Sequence, residues 1–477
     1  MVTHLLSDRI KKFLDYDPTP EQLSLMERLS SFVLEGGDDS LFLLKGYAGT
    51  GKTSVIGCLV RALEELGYKT ILLAPTGRAA KVFGLYAAHT AFTIHKVIYR
   101  QKMFTADYEG FQVAPNLHKN TLFVVDEASM ISTLSGDSVT VGSGNLLSDL
   151  IEYVYSGEHC RLILCGDTAQ LPPIGQSDSR AMSEEELATY ALTVFSFELK
   201  QVARQKNDSG ILYNATRLRL NMEQEPIPVP QIRTRGYGDI QYVSGVDMVE
   251  LLSSVYDRDG MDEAVVITRS NKRANLFNQG IRSRILYREE ELSAGDLLLV
   301  AKNNYFWSEQ YKEIDFVANG DIARVVRVSD RAEMYGFRFA DVSLFFPDYE
   351  VEMDVKVLLD TLTADTPALS TEQNQRLFLS VYEDYADLHT KQQKMRAIKK
   401  DPYFNALQVK YGYAVTCHKA QGGQWKNVFV DMGVLSPEAV GKDFYRWLYT
   451  AMTRATGRLY LMNVGNDFRP DDEKEEW

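Results

Sequence analysis

Cysteine is scarce in this chain: four in 477 residues, Cys58, Cys160, Cys165 and Cys417, with no CxxC or Cys/His spacing. That excludes a disulfide framework and a zinc finger or ribbon, and leaves free thiols expected to pack as small hydrophobes. No apolar run approaches the length of a membrane span, and Met1-Val2-Thr3-His4 opens no signal peptide, so a cytoplasmic location without membrane contact is expected. Basic charge is not in excess: 52 Lys and Arg face 65 Asp and Glu, a net charge of −13. A uniformly basic coat for a polyanion is therefore excluded. A local basic groove is not, because acidic residues concentrate at Ser183-Glu184-Glu185-Glu186 and in Asp471-Asp472-Glu473-Lys474-Glu475-Glu476. Internal repeats and low-complexity tracts are also missing, and the length suggests about three domains.

What is present begins with Gly46-Tyr47-Ala48-Gly49-Thr50-Gly51-Lys52-Thr53, between the apolar run Leu41-Phe42-Leu43-Leu44 and a helical stretch from Ser54. This is a P-loop. Gly46, Gly49 and Gly51 let backbone N–H groups, including those of Ala48 and Thr50, turn inward around phosphate oxygens; Lys52 reaches the β/γ-phosphates and Thr53 can ligate Mg²⁺. A nucleoside triphosphate, ATP, with Mg²⁺ is the expected cofactor.

Strand-like runs alternate with helical patterns at 42–44, 70–74, 122–125, 161–165, 263–268, 413–416, 428–431 and 458–462, which predicts two parallel α/β sheets with a break at Pro226-Ile227-Pro228-Val229-Pro230. Each sheet is interrupted. Between His95 and Leu122 a polar stretch with turn signals at Asp107–Gly110 predicts a projecting hairpin. From about Leu292, the runs 297–300, 323–328 and 342–346 predict a small β-barrel, followed over 371–400 by a proline- and glycine-free helical arm ending in Lys391, Lys394, Arg396, Lys399 and Lys400. A charge run of that kind is more often a solvated face than a binding surface. The insert 135–145 has no functional reading.

Leu122-Phe123-Val124-Val125-Asp126-Glu127 is a buried strand ending in two carboxylates where a P-loop ATPase needs them: Asp126 to hold Mg²⁺, directly or through water, and Glu127 to orient or deprotonate the attacking water. A second strand empties into Gly166-Asp167-Thr168-Ala169-Gln170-Leu171-Pro172-Pro173, with Gln170 a candidate γ-phosphate sensor.

Together with Thr19-Pro20-Glu21-Gln22, Ala74-Pro75-Thr76-Gly77-Arg78, Thr93-Ile94-His95, Leu199 to Gln205, Tyr413 to Gly422 and Tyr449-Thr450-Ala451-Met452-Thr453-Arg454, these motifs resemble, over nearly the whole chain, the superfamily 1 helicases of the RecD-like and Dda-like group. The resemblance implies an α/β fold of two RecA-like motor domains with an inserted pin hairpin and an inserted SH3-like barrel plus helical arm. It places the first motor domain at 1–95 and 118–200, the pin at 96–117, the second motor domain at 201–291 and 411–477, and the barrel and arm at 292–410. Gln22 would read the adenine edge, and Arg204 and Arg454 would be arginine fingers. Pro75, Thr76, Arg78 and His95 on the first domain, and Asn271, Lys272, Thr416 and His418 on the second, would contact DNA. Phe104, Tyr108 or Phe111 would stack at the tip of the pin. A lone histidine or a surface arginine is more often structural; the motif context favours the functional reading.

The implied function is an ATP-dependent DNA helicase moving 5′ to 3′ on single-stranded DNA and parting a duplex fork, monomeric as a motor, with replication or recombination proteins as partners. Alternatives are a single-strand translocase that remodels DNA, the motor subunit of a recombination complex, and a non-motor P-loop binding protein.

Overall fold

The computed structural model describes residues 2–101, 111–134, 142–202, 209–311, 314 and 316–474.

 By contacts the chain divides into two units, Met1–Gly238 with Gln421–Gly423 and Pro437–Thr453, and Asp239–Ala420 with Gln424–Ser436 and Arg454–Trp477. The sequence pattern groups 201–238, 421–423 and 437–453 with the second sheet. Contacts group them with the first, where Tyr445 donates to Pro228 O at 2.6 Å and Leu212 lies against Gly49.

The first unit is built on strands β1 (Ser40–Gly46), β2 (Lys69–Ala74) and β3 (Ala91–Thr93), the paired β4 (Tyr99–Gln101) and β5 (Phe111–Val113), then β6 (Thr121–Val125), β7 (Arg161–Gly166) and β8 (Thr193–Leu199). Six of them form one parallel sheet in the order β3-β2-β6-β7-β1-β8. Its central strands read as unbroken apolar runs because both faces are covered. In β1, Phe42 and Leu44 enter one core cluster while Leu41 and Leu43 enter the other; in β6, Leu122 and Val124 oppose Phe123 and Val125 in the same way. The four cysteines are free and buried.

β4 and β5 form the base of the expected hairpin, in antiparallel register from Tyr99↔Val113 to Gln101↔Phe111. The tip, with Phe104 and Tyr108, lies outside the described residues, as do the insert positions 135–141 and Arg204.

In the second unit, β9 (Ile240–Val243) and β10 (Ala264–Thr268) are followed by the five barrel strands: β11 (Leu297–Val300), β12 (Ile322–Met334), β13 (Phe337–Phe346), β14 (Val351–Leu358) and β15 (Leu407–Tyr411). β16 (Ala414–Thr416), β17 (Trp425–Asp431) and β18 (Ala455–Met462) return to the sheet, which is parallel in the order β16-β10-β17-β18-β9. The barrel closes through a parallel pairing of β14 with β15, and its interior shares one apolar core with the sheet.

The single helical arm expected over 371–400 is two helices, Thr371–Asp384 and Lys391–Lys399. No proline or glycine is needed for the break. Thr390 accepts from Gln393 N and receives the Gln393 side chain on its own N–H, a capping box that starts the second helix afresh. Leu377, Val381 and Ile398 then pack beside Phe337 and Phe339 at the β12–β13 end of the barrel, so the arm is seated on it. Among the described residues no helix is long and apolar enough to cross a membrane.

Candidate functional site

In a parallel sheet every strand delivers its chain to the same edge, and the nucleotide motifs collect there at the ends of β1, β6 and β7. The P-loop turns through left-handed Gly49 (φ 78°) and Gly51 (φ 82°). Gly51 is the N-cap of the helix Lys52–Glu65 and offers no side-chain cap, so the first turn keeps N–H groups for an anion. The Lys52 stem lies on Gly46, where a Cβ would stand 2.9 Å from its carbons, and Lys52 Nζ donates to Tyr47 O at 3.2 Å. Buried Thr50 closes the loop by donating to Tyr47 O at 2.8 Å.

Thr53 Oγ1 donates to Asp126 Oδ2 at 2.8 Å. Burial, and then the neighbouring Glu127, push the Asp126 carboxyl above the usual carboxylate range. A divalent cation suits this pair, since it would offset both effects. Among the described residues no three His, Cys, Asp or Glu could hold a metal by themselves, so phosphate oxygens and water would complete its shell. Glu127 takes a left-handed conformation (φ 53°, ψ 35°), uncommon for a residue with a side chain and found preferentially where function demands it. Gln170 Nε2 stands 3.5 Å from Glu127 Oε2, at the long limit of a hydrogen bond, while its buried Oε1 has no partner among the described residues. That orphan acceptor fits a water or a phosphate-bound proton beside Glu127.

Gln22, expected at an adenine edge, has no exposed surface in this structure. Its amide oxygen accepts from Thr19 N at 3.0 Å, and its nitrogen donates to Thr50 O at 2.9 Å and Tyr16 OH at 3.3 Å. It ties the start of the helix Pro20–Glu35 to the phosphate loop.

The first-unit DNA candidates sit farther along the same sheet edge, after β2 and β3. Pro75, Thr76 and Arg78 are half-buried; the Thr76 hydroxyl caps the helix Gly77–Ala87 by accepting from Ala79 N. His95 packs its ring 5.5 Å from that of Tyr99, and burial pushes its pKa down to about 4, so the imidazole is neutral at pH 7. In the second unit, Asn271 and exposed Lys272 follow β10, and on the adjacent β16 Thr416 is the last residue and half-buried His418 comes just after it. Burial, then Lys419, lower the His418 pKa. Arg454 is buried in this unit, its carbonyl accepting from Trp425 N at 3.0 Å.

Sequence reasoning missed Tyr449. It is buried on the helix Lys442–Met452, its hydroxyl accepts from P-loop Ala48 N at 2.8 Å, and it donates to Asp167 Oδ2 at 2.7 Å. The same helix holds the segment around Gln170 from three more points: Thr450 Oγ1 accepts from Leu171 N at 2.8 Å, and Arg446 meets Ser177 O and Asp178. Gln421 Nε2 donates to Leu171 O at 2.7 Å. Only the position of Tyr449 within a motif hinted at this role.

A phosphate loop, a carboxylate pair and a glutamine at one edge of a parallel sheet define a RecA-like P-loop protein. The AAA domain family matches residues 19–229, and the UvrD-like helicase C-terminal domain family matches 411–462. The chain is 26% identical over 455 residues to the ATP-dependent RecD2 DNA helicase of Deinococcus radiodurans, covering 93% of this chain and 50% of the relative. It is 25% identical over 294 residues to the ATP-dependent DNA helicase dda of Enterobacteria phage T4, covering 59% of this chain and 62% of that one. A solved Pif1 helicase from Bacteroides, in complex with ADP-AlF3 and ssDNA, aligns over 96% of this chain and 95% of its own with 14% identity and a TM-score of 0.47, too low to bear on activity. In these two matched segments and in its relatives the chain is similar to the RecD-like and Dda-like superfamily 1 helicases. It spans about half the length of the Deinococcus relative.

Proposed function

We propose that this chain is an ATP-dependent DNA helicase that moves 5′ to 3′ on single-stranded DNA and parts the duplex at a pin hairpin. The observation that carries the hydrolytic part is the contact of Thr53 with Asp126 at the mouth of the P-loop, with Glu127 and Gln170 beside it. Lys52 and the loop amides of Gly49, Gly51, Lys52 and Thr53 hold phosphate oxygens, while the Ala48 amide is committed to Tyr449 OH; Thr53 and Asp126 would hold Mg²⁺. Bound ATP supplies the phosphoryl group. Glu127 orients water and takes its proton as the new P–O bond forms and the bond to ADP breaks; Gln170 Oε1 accepts from that water. Arg204 and Arg454 stabilise the charge on the transferred group.

Pro75, Thr76, Arg78 and His95, with Asn271, Lys272, Thr416 and His418, grip the strand. Neutral His95 suits a base face or a neutral hydrogen bond better than a phosphate. Base stacking on a flat side chain is worth roughly 1–3 kcal/mol, and parting one duplex step requires about 1.4 kcal/mol, so an aromatic such as Phe104 can hold an opened pair.

Duplexes with a 5′ or a 3′ single-stranded tail, presented to wild type and to Lys52→Ala, test this. Opening of the 5′-tailed substrate by wild type alone is expected. Opening of only the 3′-tailed substrate refutes the direction. ATP turnover without unwinding leaves a single-strand translocase, and turnover indifferent to DNA refutes the motor.

A further inference from the structure

Both legs of the hairpin are fastened to one helix. On the incoming leg, Tyr99 OH donates to Asp149 Oδ2 at 2.6 Å; Tyr99 is only 9% exposed and Asp149 1%. On the outgoing leg, Asn116 Nδ2 donates to Tyr153 O at 3.0 Å and Val154 O at 3.2 Å. Asp149, Tyr153 and Val154 all lie on the helix Leu146–Tyr155. Between the legs, Ala114 N donates to Ile98 O at 2.7 Å, which keeps them paired below β4 and β5.

The same carboxylate also accepts from Ser143 N, at 3.0 Å to Oδ2 and 3.3 Å to Oδ1. Gly142 precedes it with φ 59°, and a Cβ there would overlap Asp149 and the Tyr99 ring. One buried acid thus joins the hairpin to the segment that returns from the carboxylate strand β6. Tyr153 adds a second tie, its ring edge-on to Phe123 of β6 at 5.9 Å, three residues before Asp126. A buried carboxylate left without its donors is costly, so these contacts define one arrangement of the hairpin base instead of several.

We infer that Asp149 mounts the hairpin on the Leu146–Tyr155 helix, and that Tyr99, Asp149 and Asn116 are positioning residues for strand separation and not for ATP hydrolysis. The inference rests on the wedge reading given above. A wedge that swings at its base yields to the reannealing pair, whereas one held by a buried charge-assisted hydrogen bond does not.

Tyr99→Phe keeps the ring and removes one hydroxyl; Asn116→Ala releases the opposite leg. Each is compared with wild type for DNA-stimulated ATP turnover, for translocation on single strands, for thermal unfolding, and for unwinding of forks of rising G·C content. The expected result is unchanged turnover and translocation, with unwinding lowered about tenfold, the weight of one such hydrogen bond, and the deficit growing with G·C content. Unwinding equal to wild type in both variants overturns the inference, as does a fall in turnover that parallels the fall in unwinding. If wild type translocates but opens no fork, the wedge reading fails and the mount fails with it; if wild type opens forks and the variants do so equally, the mount alone fails.

Discussion

Tyr449→Phe isolates the hydroxyl that joins the phosphate loop to Asp167. The substitution keeps the ring in its buried seat and removes two hydrogen bonds, one from Ala48 N–H and one to the Asp167 carboxylate. Asp167 is 1% exposed, and burial already raises its pKa although Lys52 and Tyr449 pull it down. A hydrogen bond to a charged group contributes about 1.5–3 kcal/mol and one between neutral groups about 0.5–1.5. The variant should therefore lose roughly 2–4 kcal/mol in the first unit, a fall of the order of 5–10 °C in its thermal transition. ATP turnover should drop about tenfold or more, because Ala48 N–H loses its fixed acceptor and the segment bearing Gln170 loses one of its ties to the helix Lys442–Met452. The sharper test is a cycle with Asp167→Asn, measured by thermal unfolding and by turnover. Since Tyr449→Phe removes the bond to Asp167 and Asp167→Asn removes the charge that strengthens it, the double variant should be milder than the sum of the singles by about 1 kcal/mol or more. Strict additivity, or a Tyr449→Phe protein that melts and turns over like wild type, would refute the relay.

Glu127→Gln should lower ATP turnover by about 10²–10⁴ while nucleotide still binds, as measured by fluorescent-nucleotide titration beside steady-state kinetics. In the barrel, burial and then Asp348 push the Asp321 pKa up to about 7, although Ala318 N and Tyr349 OH bond to it. Its folded-state value lies above the unfolded 3.8, so its charge disfavours the fold: stability is greatest at the acid end and is lost as pH rises from about 4 to about 7, by at most about 4 kcal/mol. Asp321→Asn should gain on wild type between pH 5 and pH 8 in urea unfolding, whereas an equal difference at both values of pH (about 5 and about 8) would contradict the assignment. Asp296 has no exposed surface and receives Arg282, Arg288, Tyr413 OH and Ser293 N; Asp296→Ala should cost about 3–5 kcal/mol in the second unit, read from its unfolding transition.

Local features made much of the molecule legible from its residues. The runs at 42–44, 122–125 and 162–165 announce strands buried on both faces, because only such strands are apolar at consecutive positions, and they lie in β1, β6 and β7. The P-loop and the Asp126-Glu127 pair follow from contiguous residues whose backbone and side chains act within a few positions of one another. What the sequence did not disclose depends on partners far away along the chain. β8 is read only when it is seen beside β1, and β15 closes the barrel against β14 after an excursion through two helices. The burial of Gln22 comes from Thr50, 28 residues on.

Sequence by itself determined which groups the first unit brings to one sheet edge: a glycine-rich loop between strand and helix, and the Asp126-Glu127 pair at a strand end, each encoded by neighbouring residues with little conformational freedom. Tertiary structure alone decided how those parts are held. Tyr449 reaches the loop across 401 positions, and the hairpin rests on Asp149 across 50, because hydrogen bonds between buried groups depend on where elements pack and leave no periodic trace in the chain.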